Sequence, residues 1–220
     1  MKVICVIPTY NKAPYLDKVI KGVAPLVDQV IVVDDGSTDG SYELLKNLPV
    51  DVLCHIINRG QGAALKTGTE FALEQGADII IHFDSDGQFR SEDIATVIQP
   101  LLDQKADIVF GSRFLDNSTE LPFFKKYLIM PIARGINHIF FNIHLTDPQS
   151  GFRAMTRKAA ENINWQQDRM AHCNEILIEV HRRPLRIQEV PITVIYYEFG
   201  QKFLGGIRIL RDLFLARLNK

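Results

Sequence analysis

Two aspartates, one residue apart, close an apolar run: Asp78-Ile79-Ile80-Ile81-His82-Phe83-Asp84-Ser85-Asp86-Gly87-Gln88. Paired carboxylates at a strand end suit a hard divalent cation, because magnesium and manganese take oxygen ligands and keep waters or phosphates in the rest of their shell. With few other ligands at hand, the missing ones would come from a bound diphosphate. Residues i and i+2 of an extended chain point the same way, so Asp84 and Asp86 can converge on one ion. Gly87 lets the chain turn away, and Gln88 can add a neutral oxygen. The competing reading is a solvated turn, since Asp and Gly favour turns in any case. A second acidic stretch, Asp34-Asp35-Gly36-Ser37-Thr38-Asp39-Gly40, follows another apolar run. A carboxylate there can accept from the N–H groups of a nucleobase or from ribose hydroxyls. Asp34, nearest the strand, is the candidate for nucleotide binding, while Thr38 or Asp39 suits the cap of a following helix. The third stretch, Asn58-Arg59-Gly60-Gln61-Gly62-Ala63-Ala64-Leu65-Lys66-Thr67-Gly68, opens a helical pattern. Its glycines permit close approach, and a helix N-terminus favours anions. It is neither a Walker loop nor a dinucleotide fingerprint, and tight helix–strand packing accounts for the glycines equally well.

The elements that must position these residues alternate along the first half. Apolar runs predict strands over Val3 to Ile7, Gln29 to Val33, Val52 to Ile57, Ile79 to Phe83 and Ile108 to Phe110. Helical patterns lie between them, over Tyr15 to Gly22, Ser41 to Leu48, Ala63 to Gln75 and Glu92 to Gln104, the last with Ser91 as its expected N-cap and with Pro100 inside it. Such alternation predicts a mostly parallel sheet covered on both faces. Ligands then bind outside the carboxyl ends of the strands, at a switch in strand order. Residues 8–11, 34–37, 58–62, 84–88 and 111–113 should therefore meet on one edge.

The second half reads differently. Pro122 to Leu145 is rich in aromatic and aliphatic residues with Lys125, Lys126 and Arg134 among them, which fits either core helices or a helix lying in a membrane interface. Residues 147–153 predict a turn before a strand, Asn174 to Arg182 a helix, and Leu185 to Ile195 one or two strands around Pro191. Ile207 to Leu218 is an amphipathic helix with Arg208, Arg211 and Arg217 on its polar side, suited to a membrane surface or a homodimer contact.

At 220 residues with 46% hydrophobic and 23% charged, the chain fits one domain, with a ligand-binding half over 1–114 and a second half over 115–220. A net charge of −1 does not suggest a nucleic-acid partner. Three scattered cysteines, Cys5, Cys54 and Cys173, argue against a disulfide framework or zinc site and fit a reducing cytoplasm. The N-terminal apolar run is too short for a signal peptide, and no uninterrupted apolar segment reaches the ~20 residues needed to span a bilayer.

Taken together, "VIPTYN" at 6–11, "VVDDGSTDGS" at 32–41, "NRGQGAALKTG" at 58–68, "DSDGQF" at 84–89, "GSRF" at 111–114, "DPQSGFRAM" at 147–155 and "EVPI" at 189–192 carry a resemblance to glycosyltransferase family 2. Within it the chain is most similar to the polyprenyl- or dolichol-phosphate sugar transferases. The resemblance implies a GT-A, Rossmann-like α/β fold: a mostly parallel sheet flanked by helices, with a C-terminal acceptor-side extension. It also implies Mg2+ or Mn2+, a GDP- or UDP-sugar donor, a polyprenyl-phosphate or oligosaccharide acceptor, and inversion at the anomeric carbon. Residue by residue, it implies that Pro8, Thr9 and Tyr10 touch the nucleoside and Asp34 the base, and that Arg59, Gly60 and Lys66 flank the nucleotide. Asp84 and Ser85 would sit near ribose and metal, Asp86 would be the main metal ligand, and Gln88 would assist. Arg113 would meet phosphate, and Gln149, Ser150, Gly151 and Arg153 would border the acceptor. The chain departs from the family pattern in three places. Gln61 stands where a lysine is usual, which leaves Arg59 or Lys66 to face the diphosphate. Lys125, Lys126 and Met130 occupy a region where arginine and serine are usual. Gly200-Gln201-Lys202 only partly matches a G-x-S-K signature.

A phosphate acceptor is already anionic and needs no base, whereas a hydroxyl acceptor gains ~10²–10⁴ in rate from one. Asp147 is the candidate base, with Glu175 behind it; a turn before Pro148 is the alternative role of Asp147. His172 and Glu175, three apart on a helix, could meet there or lie on a solvated face. Two other readings compete. A sugar-1-phosphate nucleotidylyltransferase would need a glycine-rich loop after the first strand, and Pro8-Thr9-Tyr10-Asn11 has no glycine. The other is a silent nucleotide-sugar-binding module. A polyprenyl acceptor would bring a cytoplasmic protein to the membrane face.

Overall fold

The computed structural model describes residues 1–115 and 145–195. The expected helices at 122–145 and 207–218 and the Gly200-Gln201-Lys202 signature lie outside these residues, apart from Leu145.

Among the described residues, seven strands form one sheet in the order β3-β2-β1-β4-β6-β5-β7. β1 (Val3–Thr9) pairs in parallel with β2 (Gln29–Asp34) and β4 (Ile79–His82), and β2 pairs in parallel with β3 (Asp51–Cys54). β5 (Ile108–Ser112) and β7 (Ile187–Pro191) are also parallel. β6 (Arg153–Thr156) runs antiparallel between β4 and β5. All seven residues of β1 are buried, as befits a central strand covered on both faces.

Alternation along the strands sorts the core into two layers. Cys5, Ile7, Val30, Val32, Ile79 and Ile81 face α1 (Ala13–Val23), α2 (Ser41–Leu45) and α4 (Asp93–Leu102). Ile4, Val6, Ile31, Val33, Ile80 and Ile108 face α3 (Gln61–Glu74), α5 (Arg157–Asn162) and α6 (His172–His181). α3 lies hard against the sheet at Gly68, where a Cβ would collide with Val6 Cγ1 and stand 3.0 Å from Val33 Cγ2. The packing account of that glycine therefore holds, at the usual entropic cost of a glycine inside a helix.

Three local expectations are corrected. The third strand stops at Cys54 rather than Ile57, because it is the sheet edge; Ile56 is 100% and Ile57 69% exposed. Ser91 does not cap α4, which begins at Asp93 without a side-chain cap, and the Asp93 carboxylate instead accepts from the Thr193 backbone N–H at 2.7 Å. The short α5, capped by the Thr156 hydroxyl accepting from Ala159 N–H at 3.2 Å, was not anticipated.

Candidate active site

The strand order reverses at β1, with β2 on one side and β4 on the other. A cleft of about 520 Å³ opens there, beyond the carboxyl ends of the strands. All five predicted strand ends contribute to its wall: Pro8, Thr9 and Tyr10 at the end of β1, Asp35 after β2, Gly60 and Gln61 after β3, Asp84 to Asp86 after β4, and Arg113 after β5. Gln88, Gln149, Ser150 and Gly151 also line it.

Asp84 continues the side of β4 that faces α3. Its Oδ1 accepts from Gln61 Nε2 at 2.7 Å. Its Oδ2 lies against Gly151, where a Cβ would collide with it. Burial, and then the neighbouring Asp86, push the Asp84 carboxyl up to about 7. Asp86 accepts from the Gln88 backbone N–H at 3.0 Å. The two carboxylates and the Gln88 amide all line the cleft and offer oxygen ligands, which fits a hard divalent cation. Among the described residues no cluster of three or more His, Cys, Asp or Glu side chains forms, so ligand oxygens would complete its shell.

The consecutive acids of β2 part to opposite faces. Asp34 turns back to Ser37, accepting from its backbone N–H at 3.3 Å and from its hydroxyl, and it does not line the cleft. Asp35 does. It accepts from the Arg59 and Gly60 backbone N–H groups at 3.0 and 2.7 Å and lies 2.6 Å from His55 Nδ1. Asp39 ties two helix starts together, accepting from Ala13 N–H and Ser41 N–H, each at 3.0 Å.

The glycine loop receives protein backbone. Gly60 has φ +119°, outside the range L side chains adopt readily, and a Cβ there would collide with the Asp168 carbonyl oxygen. A Cβ on Gly62 would collide with that of Gln167. Ala63 N–H donates to Asp168 O at 3.1 Å, and Trp165 Nε1 donates to Gly62 O at 2.8 Å. The first turn of α3 is thus partly capped by the 164–170 segment, which brings Met170 into the cleft wall. Arg59 and Lys66 serve the same segment. Arg59 lies 3.8 Å from Asp168, and Lys66 Nζ donates to Asn164 Oδ1 and Trp165 O at 3.1 and 3.2 Å. Neither lines the cleft, whereas Lys12, which sequence reasoning missed, does.

Arg113 donates to Asp147 through Nε at 2.5 Å and Nη2 at 2.7 Å. Asp147 is 1% exposed, away from the cleft lining, so its surroundings suit holding the guanidinium rather than abstracting a proton. Of the residues expected at the acceptor, Gln149, Ser150 and Gly151 line the cleft, and Arg153 and Glu175 do not. Arg153 is buried below it, with Nη2 3.5 Å from Cys173 Sγ. Burial alone would raise the Cys173 thiol, yet His172 and Arg153 bring it down to about 6. Glu175 accepts from the Gln166 and Gln167 backbone N–H groups at 2.8 and 2.7 Å. His172 turns inward to Arg169 O at 2.8 Å, so it does not meet Glu175.

A mixed, mostly parallel sheet with paired acids at its reversal point defines an α/β fold of the GT-A, Rossmann-like kind. The sequence profile described as Glycosyl transferase family 2 matches residues 4–163. The chain belongs to this family and lies near its polyprenyl-phosphate sugar transferase branch. It is 32% identical to the UDP-N-acetylglucosamine–dolichyl-phosphate N-acetylglucosaminyltransferase of Methanococcus voltae, over 98% of this chain and 96% of the relative. It is 27% identical to the polyprenol monophosphomannose synthase of Mycolicibacterium smegmatis, over 97% of this chain and 84% of the relative. Among solved structures, Mycobacterium tuberculosis glucosyl-3-phosphoglycerate synthase in complex with Mn2+, UDP and phosphoglyceric acid shares the fold, with a TM-score of 0.75 at 18% identity over 99% of this chain and 78% of that one. Family membership sets aside the nucleotidylyltransferase alternative.

Proposed function

We propose that the chain transfers a sugar, with inversion, from a nucleoside-diphosphate sugar bound in this cleft to a polyprenyl phosphate. The observation that carries the reading is that Asp84 and Asp86, from the end of β4, and Arg113, from the end of β5, line the same cleft. Asp84, Asp86 and Gln88 would hold a divalent cation, which supplies Lewis-acid neutralisation of the charge developing on the departing diphosphate. Arg113, locked by Asp147, adds a fixed positive charge for the same purpose. Pro8, Thr9 and Tyr10 form the nucleoside end, and Asp35 takes the place expected of Asp34 on that wall. Gln149, Ser150 and Gly151 form the acceptor border. An acceptor phosphate attacks as an anion and needs no general base. The names of the two relatives support a lipid-phosphate acceptor, and such an acceptor would bring a cytoplasmic chain to the membrane surface. Among the described residues no helix is long and apolar enough to cross a membrane.

Thermal-shift measurements with UDP- and GDP-sugars, with and without Mn2+, test the donor reading and select the base. A metal-dependent shift is expected in the wild type and should vanish in Asp86→Ala. A shift that survives this substitution would show that the cation binds elsewhere.

A further inference from the structure

We propose that Gln61 is a positioning residue for the cation site, holding the Asp84 carboxylate in one orientation; this rests on the reading of Asp84 and Asp86 as cation ligands. Gln61 is the first residue of α3, and its backbone is pinned on both sides. Before it, the Arg59 and Gly60 amides donate to Asp35. After it, Ala63 N–H donates to Asp168 O. From that fixed turn the side chain spans to Asp84 and donates to Oδ1 at 2.7 Å. The other oxygen, Oδ2, abuts the Gly151 backbone with no room for a Cβ between them. The carboxylate is therefore clasped, with a donor on one oxygen and main chain against the other. Such partners behind a metal-binding carboxylate orient its lone pairs, and losing one typically weakens metal binding by ~10–100-fold. An amide also does this without placing a positive charge beside a cation, as a lysine at residue 61 would.

The test is Mn2+ titration of the full chain, followed by electron paramagnetic resonance in the presence of UDP or GDP, on the wild type and on Gln61→Met. Methionine keeps the length and removes the donor. The expected result is a ~10–100-fold loss of Mn2+ affinity, with the metal-free melting temperature close to wild type. Mn2+ binding by Gln61→Met within about threefold of wild type would overturn the proposal, as would a loss accompanied by a large fall in the metal-free melting temperature, which marks a structural role. Failure of the wild type itself to bind Mn2+ with either nucleotide would instead remove the cation site and this inference with it.

Discussion

Substituting Asp147 separates the two roles that a carboxylate at this place can play. The structure puts it behind Arg113, 1% exposed, with two guanidinium bonds at 2.5 and 2.7 Å and the Arg113 backbone N–H at 3.2 Å. Breaking a buried ion pair by removing one partner costs about 3–5 kcal/mol, because the remaining charge stays desolvated. Arg113 is 25% exposed on the cleft side, so water relieves part of that, and Asp147→Ala should cost about 3 kcal/mol. For a chain of 220 residues, about 2–4 °C per kcal/mol converts this to a fall in melting temperature of about 6–12 °C. Asp147→Asn keeps the shape and one acceptor and should fall between wild type and alanine. Steady-state kinetics on both variants should show a raised donor KM along with the lowered stability, since a loosened Arg113 no longer presents its charge in place. A general base predicts the reverse pattern. In that case Asp147→Asn would melt like the wild type while kcat drops by ~10²–10⁴, and that result would refute the positioning argument.

Acid should weaken the far edge of the sheet before the cleft. Asp107 accepts from Arg186 Nε, Nη2 and backbone N–H at 3.0, 2.8 and 2.8 Å, and these bonds to Arg186 bring its carboxyl down to about 2 despite opposing burial. A depressed folded pKa means stability that is present above the unfolded value near ~4 and is lost as pH falls from there toward 2. The Arg186 side chain is half exposed, so solvent screening keeps the loss modest, read as a smaller acid-induced drop in urea midpoint for Asp107→Asn than for wild type. Gly68→Ala should destabilise by about 1–2 kcal/mol, since overpacking against Val6 outweighs the helix propensity gained. A urea midpoint unchanged or raised at constant slope would show that α3 can lift from β1 without cost.

Much of the fold could be read from the chain because each buried strand announces itself twice, by an unbroken apolar run and by the polar residues that end it. The run over 79–83 and the acids that follow it mark the edge of the sheet where the cleft opens. β3 and β6 were harder for physical reasons. β3 is an edge strand, so its pattern carries only half the burial signal, and Ile56 and Ile57 extended an apolar run that the fold leaves in solvent. β6 is four residues long and antiparallel, and nothing in Arg153-Ala154-Met155-Thr156 distinguishes its direction.

The residues of the site separate by parity and by competition. Along β2, Val30 and Val32 face α1 while Ile31 and Val33 face α3, so Asp34 and Asp35 must end on different sides of the sheet. Along β4, Ile80 faces α3, and Asp84 continues that side to reach Gln61. The acids that share the cleft are therefore those in phase with the α3 layer, Asp35 and Asp84, together with Asp86 two residues on from Asp84. The sequence contains this phase but does not say which layer opens to ligand, and proximity to the strand favours the wrong neighbour, Asp34. At the glycine loop a different competition operates. An N-terminal helix turn offers its N–H groups to any acceptor, and here the carbonyl of Asp168, more than a hundred residues away, arrives first. The same competition occupies Arg59, Lys66 and Glu175. A segment that draws three candidate site residues and two glycines into holding it must matter to the cleft, and its contribution there is the placement of Met170 in the wall and the fixing of the turn from which Gln61 reaches Asp84.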